Sequence, residues 1–281
     1  MTIRLGQSAP TALSTIDLAA SVRCHCGGIG GTDAENGVGC EVMAKHEIAL
    51  SIALLSCCAG PAIAKDDIAN AVSADSRKAD SLTVAEAQKL IAQKQSDKAL
   101  EMLSPLLAQF DARIAQEQAK GMVFCGPSMT EGFLYSALGA TKKQSSVVFG
   151  SEVCEAYFVR SYALTELGRK AEALASLQRL TGLAPMHAPY FVELGYAYRE
   201  NGDNPKAEEA YRTAMEYAGL AENETAQKQA RAAAQRGIGY ILIEKGDLTA
   251  AKKAYEKSLK DDPDSPVAKS ELAFIAEQRK K

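Results

Sequence analysis

The chain has 281 residues, 47% of them hydrophobic and 24% charged, with 32 basic side chains against 35 acidic ones. A charge balance this even is no footprint for a nucleic acid or an anionic membrane surface, and the length suits one or two domains. Histidine is scarce, with 3 in the chain, and tryptophan is absent.

Residues 1–42 read as an upstream extension without regular structure, typified by Cys26-Gly-Gly-Ile-Gly-Gly-Thr32. Cys24, His25, Cys26 and Cys40 lie here, but adjacent ligands cannot all point at one ion, and paired zinc spacings are missing. No metal site is expected from them. Met43 stands where an initiator would be. Met43-Ala-Lys-His-Glu47 precedes the apolar run beginning at Ile48, and Ala62-Ile63-Ala64 supplies a small-x-small site. A short polar start, about 12 apolar residues and such a site describe a secretory signal peptide over 43–64. The run is too short, and too broken by Gly60-Pro61, to span a bilayer, which takes about 20 residues. An alternative is a lipid anchor at Cys57, since Leu54-Leu55-Ser56-Cys57 loosely resembles a lipobox; Leu55 departs from that pattern. Residues 65–82 read as a polar linker.

Beyond the linker the apolar residues fall at helical spacing. Ala87, Leu90, Ile91, Ala99, Leu100, Leu103 and Leu106 form the apolar set of a helix pair over about 83–117, with Lys94 at its turn and Pro105 expected to bend the second helix. Residues 121–150 break the pattern. Met122-Val-Phe-Cys125 and Ser146-Val-Val-Phe149 read as short strands flanking a helix or as buried loop; a helical insertion packing on the next repeat unit is the reading favoured. Cys125 and Cys154 make an even pair, either a disulfide or two buried thiols.

Three octapeptides then repeat: Ser161-Tyr-Ala-Leu-Thr-Glu-Leu-Gly168, Gly195-Tyr-Ala-Tyr-Arg-Glu-Asn-Gly202 and Gly239-Tyr-Ile-Leu-Ile-Glu-Lys-Gly246. Each is followed by a second apolar stretch. Gly202 ends its helix where a left-handed residue is wanted, and Asp203-Asn204-Pro205 opens the next. Ala207, Ala210, Tyr211 and Ala214 give that next helix an inner face on which small residues allow close approach. Units are expected at about 154–187, 188–220 and 224–264. In the last, an N-terminal extension of the first helix accounts for ten extra residues. The amphipathic tail 266–281, very polar at its end, reads as a capping helix.

This pattern resembles the tetratricopeptide repeat, a helix–turn–helix unit of about 34 residues. The match is densest at Phe191, Leu194, Gly195, Tyr198, Gly202, Ala207, Tyr211 and Ala214. It persists at Tyr157, Gly168, Ala173, Leu177 and Pro185, where Arg160 and Ser161 depart from it, and at Ile238, Gly239, Leu242, Gly246, Ala251, Tyr255 and Pro263. The resemblance covers roughly 83–281. It implies an all-α solenoid of antiparallel helix pairs, with a short irregular or helical insertion and a C-terminal cap.

By the same resemblance the first helix of each pair lines a concave groove that takes a protein or peptide. Tyr162, Tyr196 and Tyr240 then stand in a row, each four residues before a carboxylate: Glu166, Glu200 and Glu244. In projection this edge turns away from the packing face carrying Leu164, Leu194, Tyr198, Ile238 and Leu242. Phe158, Val192, Arg199 and Arg236 complete the expected groove. Tyrosines suit peptide recognition, and free carboxylates would favour a basic partner; the same rings could equally bridge repeats. The family's carboxylate clamp is disfavoured, because Phe158, Tyr162, Ala233 and Gly237 occupy the positions of its Lys, Asn and Arg residues.

No nucleophile with a matched base, no phosphate-cradling loop and no H-E-x-x-H motif occurs, so no enzyme and no cofactor are expected. His187, alone in a turn, reads as solvated, and Asp261-Asp262 as exposed. The sequence reading is an exported, non-enzymatic binding scaffold of a bacterial periplasm or envelope. The alternatives are an envelope lipoprotein, a cytoplasmic adaptor, or an enzyme using the 121–150 insertion.

Overall fold

The computed structural model describes residues 65–280, with side-chain surroundings from residue 74 onward. The signal, lipid-anchor and upstream-extension expectations lie outside the described residues. In chain order the elements are α1 (Lys65–Ala92), α2 (Ser96–Gln118), β1 (Met122–Cys125), α3 (Met129–Thr141), β2 (Ser146–Phe149) and α4 (Ser151–Glu166). There follow α5 (Lys170–Leu183), α6 (Ala188–Glu200), α7 (Asn204–Tyr217), a short 3₁₀ turn, α8 (Glu224–Glu244), α9 (Leu248–Asp261) and α10 (Pro266–Gln278). Helices α1/α2, α4/α5, α6/α7 and α8/α9 pack as pairs, each pair on the next, and α10 packs on α9.

Residues 65–82 are not a linker. They form the first part of α1, a stretch of 28 residues without glycine or proline. Polar composition suggests coil, but alanine, lysine and aspartate over this span contain nothing that breaks a helix. Helix α2 continues through Pro105, which lies on its exposed side.

The turns explain why the pairs are alike. Gly168, Gly202 and Gly246 adopt φ values of 71°, 82° and 80°, and Lys94 takes 62° at the same place in the first pair. Around each, the left-handed residue's N–H donates to the carbonyl three residues back. The next N–H reaches five back: Arg169 to Leu164, Asp203 to Tyr198, Asp247 to Leu242 and Gln95 to Leu90, all at 2.9 Å. Two crossed bonds of this kind satisfy carbonyls that the helix end leaves open, and only a left-handed residue closes them. The next helix opens at once, with the Asp203 and Asp247 side chains accepting from Lys206 and Ala250 N–H groups.

Packing between pairs relies on tyrosines set against glycines. Tyr211, 3% exposed, lies between α6 and α8. A methyl group at Gly195 would come within 2.6 Å of its ring, and one at Gly237 would overlap the ring outright. Tyr255 presses on Gly239 in the same manner. The buried residues accordingly form a chain of neighbouring clusters, one centred on Tyr211 and another on Tyr255 and Ile275. A stack of repeats with nearest-neighbour interfaces has this kind of core.

Residues 121–150 form a β–α–β unit. Strands β1 and β2 pair in parallel, Met122 opposite Ser146 through Cys125 opposite Phe149, with α3 as the crossover. The favoured helical insertion is thus corrected by the two strands, which a parallel pair joined through a helix requires. Cys125 and Cys154 are bonded, their Cα atoms 5.7 Å apart, which ties β1 to α4. Tyr135 is fully buried, stacks on Phe124 at 5.0 Å, and accepts a hydrogen bond from the Met186 N–H at 3.2 Å. His187 is not solvated: its Nδ1 lies 2.9 Å and 3.1 Å from the two oxygens of buried Glu131. Asp261 and Asp262 are likewise engaged rather than exposed. Arg231 holds Asp261 through two hydrogen bonds, at 2.7 and 3.1 Å, and Arg236 holds Asp262 at 2.9 Å.

Candidate functional site: the shared face of α4, α6 and α8

The first helices of the pairs place Tyr162, Tyr196 and Tyr240 at equivalent points, all half-buried. Phe158 joins this row, 6.0 Å from the ring of Tyr162 and 5.3 Å from that of Tyr190 on α6. At its centre is Arg199. Its guanidinium lies 3.9 Å from the ring centroid of Tyr240 and 5.1 Å from that of Tyr196, so a cation is stacked across the α6–α8 junction. Its Nη2 lies 3.6 Å from Glu200, and its Nε is buried with no hydrogen-bond acceptor among the described residues. Burial raises the pKa of the Tyr162 hydroxyl to about 12, with Glu193 and Glu166 adding to the effect.

The three glutamates of the octapeptides are not a free rim. Lys94 Nζ and Ser96 Oγ donate to Glu166 at 2.9 and 3.0 Å. Lys170 Nζ lies 2.9 Å from Glu200, and Asn204 Nδ2 donates to Glu244 at 2.7 Å. Ser96, Lys170 and Asn204 are each the first residue of the second helix in the preceding pair. Every octapeptide glutamate therefore hooks one repeat to the one before it. Helical projection shows that this edge turns from its own pair's packing face, but not that a neighbouring repeat reaches it. Arg236 is also withdrawn from the row by Asp262, and Val192 packs towards Tyr211.

The carboxylates that remain are Glu193 and Glu271, which sequence reasoning missed. Glu193, on α6, has no hydrogen-bond or ion-pair partner among the described residues and couples electrostatically to Tyr162, Tyr196 and Tyr211. Desolvation pushes its carboxyl up to about 7. Glu271, on α10, is raised by burial and pulled back by the charge of Arg199. A signal for Glu193 existed in the sequence. Three residues before each tyrosine stand Val159, Glu193 and Gly237, so the middle repeat alone places a charge there. Arg199 is similarly individual, matched by Thr165 and Ile243.

The raised carboxyl carries a pH prediction. The folded value of Glu193 lies above its ordinary 4.5, so folding takes up a proton between about pH 4.5 and 7. The contribution is fully present below that window and is lost as pH rises through it. Glu193→Gln will match the parent's melting temperature near pH 4.5 and exceed it near pH 8 by about 2–4 °C, the equivalent of about 1 kcal/mol. Calorimetry across that range checks this, and a gap that does not change with pH would count against it.

Among the described residues no group of three or more His, Cys, Asp or Glu side chains could hold a metal ion, and no helix is long and apolar enough to cross a membrane. Stacked antiparallel helix pairs with nearest-neighbour interfaces define the class of all-α helical-repeat solenoids. Residues 158–221 and 192–266 match the family model described as Tetratricopeptide repeat. Solved structures with similarity include the type III secretion translocator chaperone SycD of Yersinia enterocolitica, at 15% identity and a TM-score of 0.37, covering 50% of this chain and 93% of that one. Two structures of MamA are also similar. One is 20% identical with a TM-score of 0.34, covering 63% of this chain and 94% of its own; the other is 19% identical at 0.33, covering 66% and 92%. No curated protein matches the sequence.

Proposed function

We propose that the chain is a non-enzymatic scaffold that binds a protein or peptide across the α4–α6–α8 face, in a bacterial periplasm or cell envelope. The observation that carries this is Arg199, whose guanidinium lies 3.9 Å from the ring centroid of Tyr240 and 5.1 Å from that of Tyr196, at the centre of the tyrosine row. The side chain is 14% exposed and its Nη2 lies 3.6 Å from Glu200, so the remaining guanidinium N–H groups can pair with a peptide carbonyl or carboxylate. The flanking tyrosines offer broad contact area at little cost in rotamer entropy. Because Glu166, Glu200 and Glu244 are engaged, the partner's charge is read by Arg199, Glu193 and Glu271. This shifts emphasis away from a simply basic partner.

Two observations support the compartment: the Cys125–Cys154 bond, which suits an oxidising environment, and the signal-like text of 43–64. N-terminal sequencing of the native protein checks it. A start at Lys65 agrees, a fatty-acylated Cys57 would make it a lipoprotein, and a start before Met43 would overturn the export reading. For the binding face, Tyr196→Ala and Arg199→Ala will each weaken capture of the partner from envelope extract by about tenfold or more, as central aromatic and arginine anchors do. If capture is unchanged, or is lost only in step with a fall in melting temperature, the row serves packing alone.

A further inference from the structure

Helix α3 is covered on one side only. Its inner side carries Tyr135, Gly139 and Glu131, the last held by Ser128 Oγ and His187. Its outer side exposes Met129 (81%), Phe133 (71%) and Leu134 (36%), with Ala137 and Ala140 continuing the stripe. Glu131 is the one charged residue in the helix, and it points inward, so the exposed side carries no charge at all. Large apolar side chains grouped this way on a surface mark an interaction site.

We propose that the occupant of this face is a second copy of the same chain, packed α3 against α3 across a two-fold axis. The first argument is shape. Beside the N-terminal half of α3 opens a shallow cleft of about 410 Å³, lined in part by Met129, Gly132, Val148 and Phe149. In an antiparallel crossing centred near Gly132 and Phe133, the Phe133 ring of each copy enters the cleft of the other. A surface carrying both knob and hole is self-complementary, as a two-fold contact demands.

The second argument is charge. Exposed Lys142 and Lys143 follow the C-terminal end of α3, and exposed Glu222 stands beside its N-terminal end, on the cleft wall. Among the described residues none of the three forms an ion pair. An antiparallel pairing sets the lysines of one copy against Glu222 of the other, twice. A parallel pairing would set like charges together. A 13-residue helix is about 20 Å long, so the contact falls at the small end of specific interfaces and the dimer dissociates in the micromolar range.

Sedimentation of the purified chain from about 1 to about 100 μM tests this, a range that brackets such a dissociation constant. The parent will pass from monomer to dimer. Phe133→Asp will remain monomeric throughout with an unchanged melting curve, because Phe133 is exposed and contributes little to the fold. Lys142→Glu with Lys143→Glu will weaken the dimer by about tenfold, and adding Glu222→Lys will restore it. The proposal is overturned by a parent that stays monomeric at the highest concentration, or by a dimer indifferent to Phe133→Asp. It is equally overturned if the parent stays monomeric but is carried down by anionic lipid vesicles in a Phe133-dependent way, which would make the face a membrane contact instead.

Discussion

Replacing Gly237 by alanine will lower the melting temperature by about 6–12 °C, corresponding to about 3 kcal/mol for a domain of this size. The cause is the ring of Tyr211, which lies where the added methyl must go, while Gly195 closes in on the same ring from α6. Tyr211 is 3% exposed and has no room to retreat. Relief has to come from separating α6, α7 and α8, which breaks two inter-helix contacts at once. Gly237→Ala combined with Tyr211→Leu should regain about half of the loss, since the smaller side chain vacates the position; single substitutions whose effects simply add would refute the wedge. Gly202→Ala provides the contrast. It meets nothing within 4 Å, and its cost is the left-handed backbone alone, about 1–2 kcal/mol.

Replacing both Cys125 and Cys154 by alanine will cost about 3–4 kcal/mol. The bond closes a loop of 29 residues, and freeing a loop of that size returns this much chain entropy to the unfolded state. Both residues are fully buried, so alanine leaves no stranded polar atom. The loss will concentrate in the β–α–β unit: hydrogen exchange should accelerate first in β1, α3 and β2, while α6–α9 keep their protection. From Lys65 onward these are the only cysteines. Two titratable thiols in the denatured, unreduced chain beginning at Lys65 would therefore show that the bond is absent, and the predicted fall would not follow.

How much of this is legible in the sequence differs between fold and site. The stacked pairs are readable because the octapeptides repeat the same steric demand at Gly168, Gly202 and Gly246, and a left-handed turn leaves few alternatives to glycine. Lys94 shows the exception, adopting the same turn at higher cost. The start of α1 escapes notice because a polar, glycine-free stretch carries no apolar stripe, so periodicity has nothing to report. Strands β1 and β2 are four residues each, too short for alternation to separate strand from buried loop. At the site, similarity between repeats locates the tyrosines, but it misassigns the glutamates. What a side chain meets across a junction depends on the neighbouring repeat, and that is not written in its own spacing. Glu193 and Arg199 lie in the opposite blind spot: they are informative because they break the repetition.

The hooks at Glu166, Glu200 and Glu244 bear on how such an array can lengthen. Each accepts from the opening residue of the helix behind it, and serine with lysine, lysine alone, and asparagine all serve. Any donor at that place suffices, so the α4/α5 or α6/α7 unit copied in tandem would find its acid matched at both new seams, whereas a copied α8/α9 unit would set its glutamate against Leu248, the first residue of α9. Duplication of either of the first two could extend the stack without a second, compensating change, while a cut made within a unit would strand a carboxylate at the join.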